Sequence, residues 1–227
     1  MKRALKCLTI SLVLGLSATA FEASARSGRD PELDAMNDNE LIHSVETGKQ
    51  ANLVREFQIK EATRLYNGDY NPKTTGANVE TYRNKEVIII TIPTDRLFAP
   101  NETSLKPEAE ALLKPLSRYM KPATEDMYRL LMVMHTDNTG SEAYTDQLSL
   151  DRAVAVFDWF EDNGYDTDYV FMRARGASEP NASSGNISDI LKANDTYEKR
   201  YANRRLEIFL IPGERMIDEA KKGRIAF

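Results

Sequence analysis

The clearest hydrophobic pattern in the chain is an apolar run at residues 87–92, which is β-branched at every position. Such a run is typical of a strand that is buried on both faces of a sheet. Two more apolar runs, at 128–135 and 169–174, predict a second and a third strand. In a fourth segment, 205–210, apolar residues alternate with other residues, which predicts a strand with one buried face. Its inward residues are Leu206, Ile208 and Leu210.

Two helices are predicted between these strands. The first begins near Leu105, with Thr103 or Ser104 as its cap, and we expect Pro115 to kink or end it because proline removes a backbone hydrogen bond. The second runs from about 150 to 163, with Ser149 as the N-cap. Gly164 is its C-terminal glycine. Its inward stripe consists of Ala153, Val156, Phe157 and Phe160.

The order β-α-β-α-β-β predicts an α/β (α+β) fold, a two-layer sandwich with a mixed four-stranded sheet. Apolar residues at near-helical spacing between 41 and 66 predict one or two preceding helices, and 67–84 has the composition of a loop or linker. We favour packing of these helices on the main domain over docking of a partner. The loop 177–203 is long enough to hold a short helix around 187–197. The predicted divisions are a leader segment (1–25), a helical N-terminal region with its linker (26–85), the main domain (86–212) and a C-terminal tail (213–227).

The first 25 residues have the layout of a secretory signal peptide. A basic start precedes an apolar stretch at 8–20 and the small-residue site Ala23-Ser24-Ala25. The only cysteine, Cys7, lies within this segment, so the mature chain is expected to have no disulfide and no thiol chemistry. No later stretch is apolar enough for a membrane helix. We therefore expect an exported protein in the periplasm or at the periplasmic face of the outer membrane.

Charge and composition exclude several classes of function. A net charge of −5 disfavours nucleic-acid binding, which needs a basic face. Ser149, His135 and Asp137 could be drawn as a catalytic triad, but the chain has no G-x-S-x-G turn, and the serine serves better as a cap. With two histidines and no mature cysteine, a zinc site is not expected. We predict no enzyme, no catalytic residue, no metal and no cofactor.

A carboxylate and a guanidinium are the candidate binding groups. Asp137 follows the second strand, and Arg152 is predicted in the first turn of the second helix, where a cation opposes the helix dipole. Ligands of α/β sheets bind beyond the carboxyl ends of strands, where these two groups would meet. The pair would suit a zwitterion, with the carboxylate binding an ammonium and the guanidinium binding a carboxylate. The alternative is a structural ion pair between the two residues.

Four ordered blocks resemble the OmpA-like C-terminal domain. The segment 135–153 is similar to its pattern HTD-x-x-G…aYN-x-x-LS-x-x-RA, and 97–107 resembles its first strand–helix turn. The segment 175–180 resembles its RG-x-GE-x-P turn, and 203–208 its last strand, NRRVEI. Four blocks in the family's order, over about 86–212, are far more specific than one motif. The chain departs from the pattern at Met134, Thr145, Ser178 and the turn Phe98-Ala99-Pro100-Asn101.

The resemblance implies non-covalent binding of peptidoglycan through the diaminopimelate residue of its stem peptide. Asp137 would then hold the ligand ammonium and Arg152 the ligand carboxylate. The other positions that match the lining of the family's site are Asn101, Thr136, Thr145, Arg204 and Arg205. Residues 26–85 are too few for the family's eight-stranded barrel, so none is expected. The alternative function is a periplasmic adaptor that docks an outer-membrane or secretion complex, or another envelope protein, through its N-terminal helices.

Overall fold

Five strands form one mixed sheet in the computed structural model, which describes residues 31–121, 126–181 and 187–225. The strands are β1 (Asn78–Tyr82), β2 (Val87–Pro93), β3 (Tyr128–His135), β4 (Val170–Gly176) and β5 (Arg205–Pro212). Their order across the sheet is β1-β2-β5-β3-β4. The neighbours are antiparallel except for β3 and β4, which are parallel. The predicted signal peptide, with Cys7, lies outside the described residues.

The predicted α/β fold class is confirmed, but the sheet has five strands and not four. The additional strand, β1, lies within the segment that the sequence predicted as a loop or linker. It pairs with β2 along its full length, from Asn78 opposite Thr91 to Tyr82 opposite Val87. Its alternate positions are exposed, and it forms one edge of the sheet, so it lacks the apolar run that marks a buried strand. A polar edge strand of this kind is difficult to distinguish from a loop by sequence.

The larger part of the hydrophobic core lies on one face of the sheet, which we call the inner face. Helix α3 (Ala51–Asn67) buries Val54 and Leu65 there, and α6 (Glu142–Asp162) buries Val156 and Phe160. These side chains pack against alternate residues of the central strands, including Ile90, Leu130, Met132 and Ile208. The inward stripe that was predicted for the second helix is therefore confirmed.

The opposite, outer face is partly covered by two short N-terminal helices, α1 (Pro31–Ala35) and α2 (Asp38–Ile42). Their apolar side chains pack against strand residues of that face, forming a second cluster of Leu33, Leu41, Ile42, Val87, Leu131, Val133, Phe171 and Ile211. Asp38 also pairs with Arg173 at 3.2 Å and with Arg175. The prediction that the N-terminal helices pack on the main domain is confirmed, because their buried residues are shared with the sheet.

The second predicted helix is longer at its N-terminal end than the sequence indicated. α6 begins at Glu142 and not near Leu150, because the side chain of Ser141 accepts a hydrogen bond from the Tyr144 N–H and caps the helix. Ser149 is therefore not a cap. Its hydroxyl donates to the Asp146 carbonyl and accepts from the Gly176 N–H, which joins the middle of α6 to the end of β4.

The first predicted helix is divided into three short helical segments. A 3₁₀ turn at Pro107–Ala109 leads into α5 (Glu110–Leu113), and the chain continues as a 3₁₀ helix over Lys114–Tyr119. The early end that Pro115 predicted is confirmed. The predicted cap at Thr103 or Ser104 is wrong, because Leu105 forms an extended bridge with Phe98 and helical structure starts only at Pro107.

Four other short α-helices are present in the described structure: α4 (Pro72–Thr75), α7 (Ile187–Lys192), α8 (Tyr197–Asn203) and α9 (Glu214–Lys221). Two further 3₁₀ turns lie at Gly48–Gln50 and Thr94–Arg96. The two helices α7 and α8 lie in the long segment before β5, where one short helix was predicted. Among the helices of the described ranges, none has the length and apolarity needed to cross a membrane.

The packing of α3 on the sheet predicts a contrast between two leucines of one helix. Leu65 is fully buried, so Leu65→Ala should lower the free energy of unfolding by about 2–5 kcal/mol through the cavity that it leaves. Leu53 is 49% exposed, so Leu53→Ala should change that free energy by less than about 0.5 kcal/mol. Urea unfolding of both variants measures the difference. Equal values would contradict the packing of α3 against the core.

Candidate functional site

Asp137 lies just beyond the carboxyl end of β3, as predicted, and its carboxylate is held by two donors. Its Oδ1 accepts a hydrogen bond from the Thr139 N–H at 2.9 Å, and its Oδ2 accepts one from Arg204 Nη1 at 2.6 Å. Burial alone would raise the pKa of Asp137, but Arg204 and the side chain and N–H of Thr139 outweigh it and hold the pKa below the ordinary value. Asp137 is therefore an anion at neutral pH.

Arg204 bridges Asp137 and a second carboxylate, Asp95. Its Nε and Nη2 donate to the two carboxylate oxygens of Asp95, each at 2.8 Å, in the bidentate arrangement that suits a guanidinium. These pairs, together with the hydrogen bond to Asp137, raise the Arg204 pKa despite burial. The rings of Tyr197 and Tyr201 lie 5.8 Å from the guanidinium carbon. The position of Arg204 at the site, implied by the motif, corresponds to close contact with Asp137.

Arg152 is a buried cation of a different kind, because its hydrogen bonds go to the main chain. Its Nε donates to the Glu102 carbonyl at 2.9 Å and its Nη2 to the Ala99 carbonyl at 3.2 Å, with the guanidinium carbon 5.0 Å from the Phe98 ring centre. Within the described parts of the chain, no carboxylate forms a salt bridge with it. Burial lowers the Arg152 pKa, although Asp95 and Asp137 favour its charged form electrostatically.

The prediction that Arg152 lies in the first turn of its helix, opposed to the helix dipole, is wrong. The residue does not lie in the first turn of its helix, because α6 begins at Glu142, ten residues earlier. The helix dipole therefore does not act against it there. What distinguishes Arg152 is its burial, with only 4% of its surface exposed, and the lack of an acidic partner in contact.

Asn101 and Tyr144 form a polar contact at an exposed edge of this region. Asn101 has a positive φ of 60°, which asparagine adopts more readily than most residues, and its Oδ1 accepts a hydrogen bond from the Tyr144 hydroxyl at 3.2 Å. Asn101 lies between Ala99 and Glu102, whose carbonyls both accept hydrogen bonds from the Arg152 guanidinium. The structure thus brings Asn101 close to the predicted site, although the residue is exposed.

The two threonines among the predicted residues are both buried. Thr145 lies in the first turn of α6, and its hydroxyl donates to the Glu142 carbonyl at 2.9 Å, so the side chain is bonded to its own helix. The Thr136 N–H donates to the Gly176 carbonyl at 2.8 Å, and its hydroxyl has no hydrogen-bond partner among the described residues. Thr136 directly precedes Asp137, and its hydroxyl is the less constrained of the two.

Arg205 is not brought together with Asp137. Its Nε donates to Glu207 Oε1 at 2.8 Å, and its other nitrogens donate to the carbonyls of Asn203 and Glu179. Glu207 also lies 3.4 Å from Nε2 of His135, whose pKa is lowered by burial so that the imidazole is neutral at pH 7. Arg205 therefore belongs to a separate polar cluster.

The sequence analysis missed Asp95, the residue that pairs most fully with Arg204. One signal for it is present in the sequence. The dipeptide Thr-Asp follows β2 as Thr94-Asp95 and follows β3 as Thr136-Asp137. Since β5 lies between β2 and β3 and runs antiparallel to both, the residue before β5 is flanked by both dipeptides. That residue is Arg204.

The region contains the carboxylates of Asp95 and Asp137 and the guanidinium groups of Arg152 and Arg204, and both carboxylates favour the charged form of Arg152. One guanidinium, Arg204, is fully engaged by carboxylates, whereas Arg152 has no acidic partner in contact. The site therefore has an acidic part around Asp137 and a basic part at Arg152. Such an arrangement complements a ligand that carries both an ammonium and a carboxylate.

Comparisons with known proteins agree with this fold. Residues 97–193 match the model of the OmpA family. Two curated relatives named outer membrane protein A, from Klebsiella pneumoniae and Bordetella avium, are 34% and 31% identical over 119 and 117 residues. Each match covers 52% of this chain but only 34% and 54% of the relative. The chain thus matches about a third to a half of the length of these relatives.

Two solved structures are also similar. A putative MotB-like protein from Desulfovibrio vulgaris has a TM-score of 0.57 at 19% identity, covering 73% of this chain and 95% of that one. The cell wall anchor of the T6SS from Pseudomonas aeruginosa has a TM-score of 0.51 at 26% identity, covering 66% and 96%. The resemblance predicted from the motifs is confirmed: the chain contains an OmpA-like domain.

The cluster around Glu207 generates a prediction about stability and pH. Burial alone would raise the Glu207 pKa, but His135 and Arg205 lower it to about 2, below the ordinary value of 4.5. A depressed pKa stabilises the fold above the unfolded-state pKa, and this stabilisation is lost as the pH falls towards the folded-state value. Glu207→Gln should therefore be less stable than the wild type at pH 7, by about 2–3 kcal/mol.

The difference between the two proteins should shrink as the pH falls from about 5 to about 2, because the wild-type carboxylate becomes protonated. Urea unfolding at several pH values measures it. Glu198→Gln, at an exposed glutamate of α8, is the matched control and should change the unfolding free energy by less than about 0.5 kcal/mol. A Glu207→Gln difference that stays constant with pH would contradict this prediction.

Proposed function

We propose that this protein binds peptidoglycan non-covalently through its OmpA-like domain and so anchors or organises the cell envelope. In this proposal the ligand is the diaminopimelate residue of the stem peptide, whose free end carries an ammonium and a carboxylate. Asp137 binds the ammonium, and Arg152 binds the carboxylate. The domain acts by binding and catalyses no reaction.

The observation that carries this proposal is the buried guanidinium of Arg152 with no acidic partner in contact. A buried charge is costly unless it is paired, and a structural arginine is ordinarily paired with a carboxylate. Here the main chain takes Nε and Nη2, and no described residue accepts a hydrogen bond from Nη1. A carboxylate supplied by a ligand would complete the pair.

Asp137 supports the same proposal through its remaining capacity to accept hydrogen bonds. A carboxylate offers about four lone-pair positions, and hydrogen bonds from Thr139 and Arg204 occupy two of them. An ammonium can therefore bind without displacing either donor. In this proposal the exposed Asn101 would contact the ligand near this pair, whereas the buried Thr136, Thr145 and Arg205 would support the site indirectly.

The comparisons support the proposal at the level of the whole domain. The similar structure from Pseudomonas aeruginosa is a cell wall anchor, and it is matched over almost its full length. Together with the secretory signal that residues 1–25 predict, this supports an exported protein of the envelope, in the periplasm or at the periplasmic face of the outer membrane.

The alternative function is that of an adaptor that docks an envelope complex through its N-terminal helices. The structure weakens this alternative, because the buried side chains of α1, α2 and α3 are used for packing on the sheet. The two functions also differ at Asp137, since an adaptor would not need an anion there. Loss of wall binding in Asp137→Asn would favour the first function.

Sedimentation with insoluble diaminopimelate-type peptidoglycan tests the proposal. The purified chain from residue 26 should co-sediment, and Asp137→Asn and Arg152→Lys should each bind at least about tenfold more weakly, because each loses a charge-assisted bond to the ligand worth about 1.5–3 kcal/mol. Asp137→Asn is isosteric, and Arg152→Lys keeps the charge but not the bidentate geometry.

Asp218→Asn and Arg224→Ala are the matched controls, because both residues are exposed in or just after α9. Their affinity for the wall should equal that of the wild type. Circular dichroism shows whether each variant is folded. A folded wild type that stays in the supernatant would refute the proposed function, and unchanged binding by Asp137→Asn and Arg152→Lys would refute the assigned site.

A further inference from the structure

The carboxylate of Asp95 differs from that of Asp137 in how it meets Arg204. Asp95 accepts two parallel hydrogen bonds from the guanidinium, both at 2.8 Å, whereas Asp137 accepts one at 2.6 Å. The fork-to-fork arrangement is the stronger and more directional of the two. Arg204 is therefore oriented mainly by Asp95, and Asp137 contacts only its remaining nitrogen.

The charges of these three residues do not cancel. Two carboxylates and one guanidinium leave one net negative charge. If Asp95 were absent, Arg204 would neutralise Asp137 alone, and an incoming ammonium would meet a neutral pair with the guanidinium beside it. A cation close to an ammonium repels it, and the repulsion is strong where water is partly excluded. The net negative charge at Asp137 therefore depends on Asp95.

The main chain of the fold holds Asp95 beside Arg204. Thr94 and Asp95 follow β2, and the Thr94 N–H donates to the Arg204 carbonyl at 2.9 Å, which fixes the main chain of Arg204 beside Asp95. The Asp95 side chain is 37% exposed and that of Asp137 only 10%. Asp95 is thus the more exposed partner of Arg204, and Asp137 is the more buried one.

We propose that Asp95 is a positioning residue of the binding site, which neutralises Arg204 so that Asp137 keeps its negative charge for the ligand ammonium. Asp95 itself does not touch the ligand. The proposal rests on the proposed function and deepens it, because it makes the free amino group the feature that the site selects. A ligand without that amino group gains nothing from Asp95.

A double-mutant cycle between Asp95 and Arg204 tests the proposal. The probe is a soluble stem peptide that ends in diaminopimelate, with affinity measured by isothermal titration calorimetry. Asp95→Asn, which is isosteric and removes the charge, should weaken binding by at least about tenfold in the wild-type background. In an Arg204→Met background the same change should weaken binding by less than about threefold, because no guanidinium remains to be neutralised.

The pattern of outcomes separates positioning from a structural role. If Asp95→Asn weakens binding equally in both backgrounds, or by less than threefold in the wild type, the proposal is wrong. Asp95→Glu keeps the charge and should restore most of the affinity. Should Asp95→Asn fail to fold, as judged by circular dichroism, Asp95→Ala is the second variant that removes the charge, and the same two ratios decide.

The same peptide with its free amino group acetylated completes the test. It should bind the wild type more weakly than the free amine does, and Asp95→Asn should weaken it further by less than about threefold, because no ammonium is present to be repelled. Competition against the unmodified peptide measures this. An equal loss for both peptides would overturn the proposal. Failure of the wild type to bind the free-amine peptide would refute the proposed function itself, and this inference with it.

Discussion

The position of β5 between β2 and β3 determines where the charged groups of the site lie. Because β5 runs antiparallel to both neighbours, its first residues stand beside the last residues of two other strands. Arg204, which precedes β5, is therefore enclosed by residues that follow β2 and β3. Asp95 and Asp137 are more than 40 residues apart in the chain, and only this strand order brings them to the same guanidinium.

The structural ion pairs differ from the charges of the site in how completely they are paired. On the outer face the charges form closed pairs, as Asp38 does with Arg173 and Arg205 with Glu207. These pairs fasten the N-terminal helices to the sheet and hold the start of β5, with each carboxylate in contact with a guanidinium group. Arg152 differs from these pairs, because it is buried against Phe98 and its hydrogen bonds within the described residues go to main-chain carbonyls. Unequal pairing, more than the number of charges, distinguishes the site from the ion pairs around it.

The sequence predicted the features that depend on local patterns and missed those that depend on the strand order. The four strands with apolar or alternating residues were found, because burial demands such patterns. The polar edge strand β1 was not, and the start of α6 was missed because its first two turns are largely polar. Asp137 and Arg152 were proposed from their predicted places after a strand and on a helix, and then from the motif, although the helix-dipole argument for Arg152 was wrong. Asp95 was missed, because the repeated Thr-Asp dipeptide marks it only once the order of β2, β5 and β3 is known.

The balance of charge in the site favours a zwitterion over an ordinary anion or cation. The charges of the two carboxylates and two guanidinium groups sum to zero, with the negative excess at Asp95, Arg204 and Asp137 and the positive excess at Arg152. A simple anion could pair with Arg152, but it would add a negative charge close to Asp137, and a simple cation would do the reverse at Arg152. A ligand with one group of each sign leaves the region neutral and satisfies both ends, so the desolvation of each charge is offset by a direct partner. Under the proposed function, selectivity would come from the spacing of two opposite charges, one following β3 and the other on α6, which the packing of α6 against the sheet fixes.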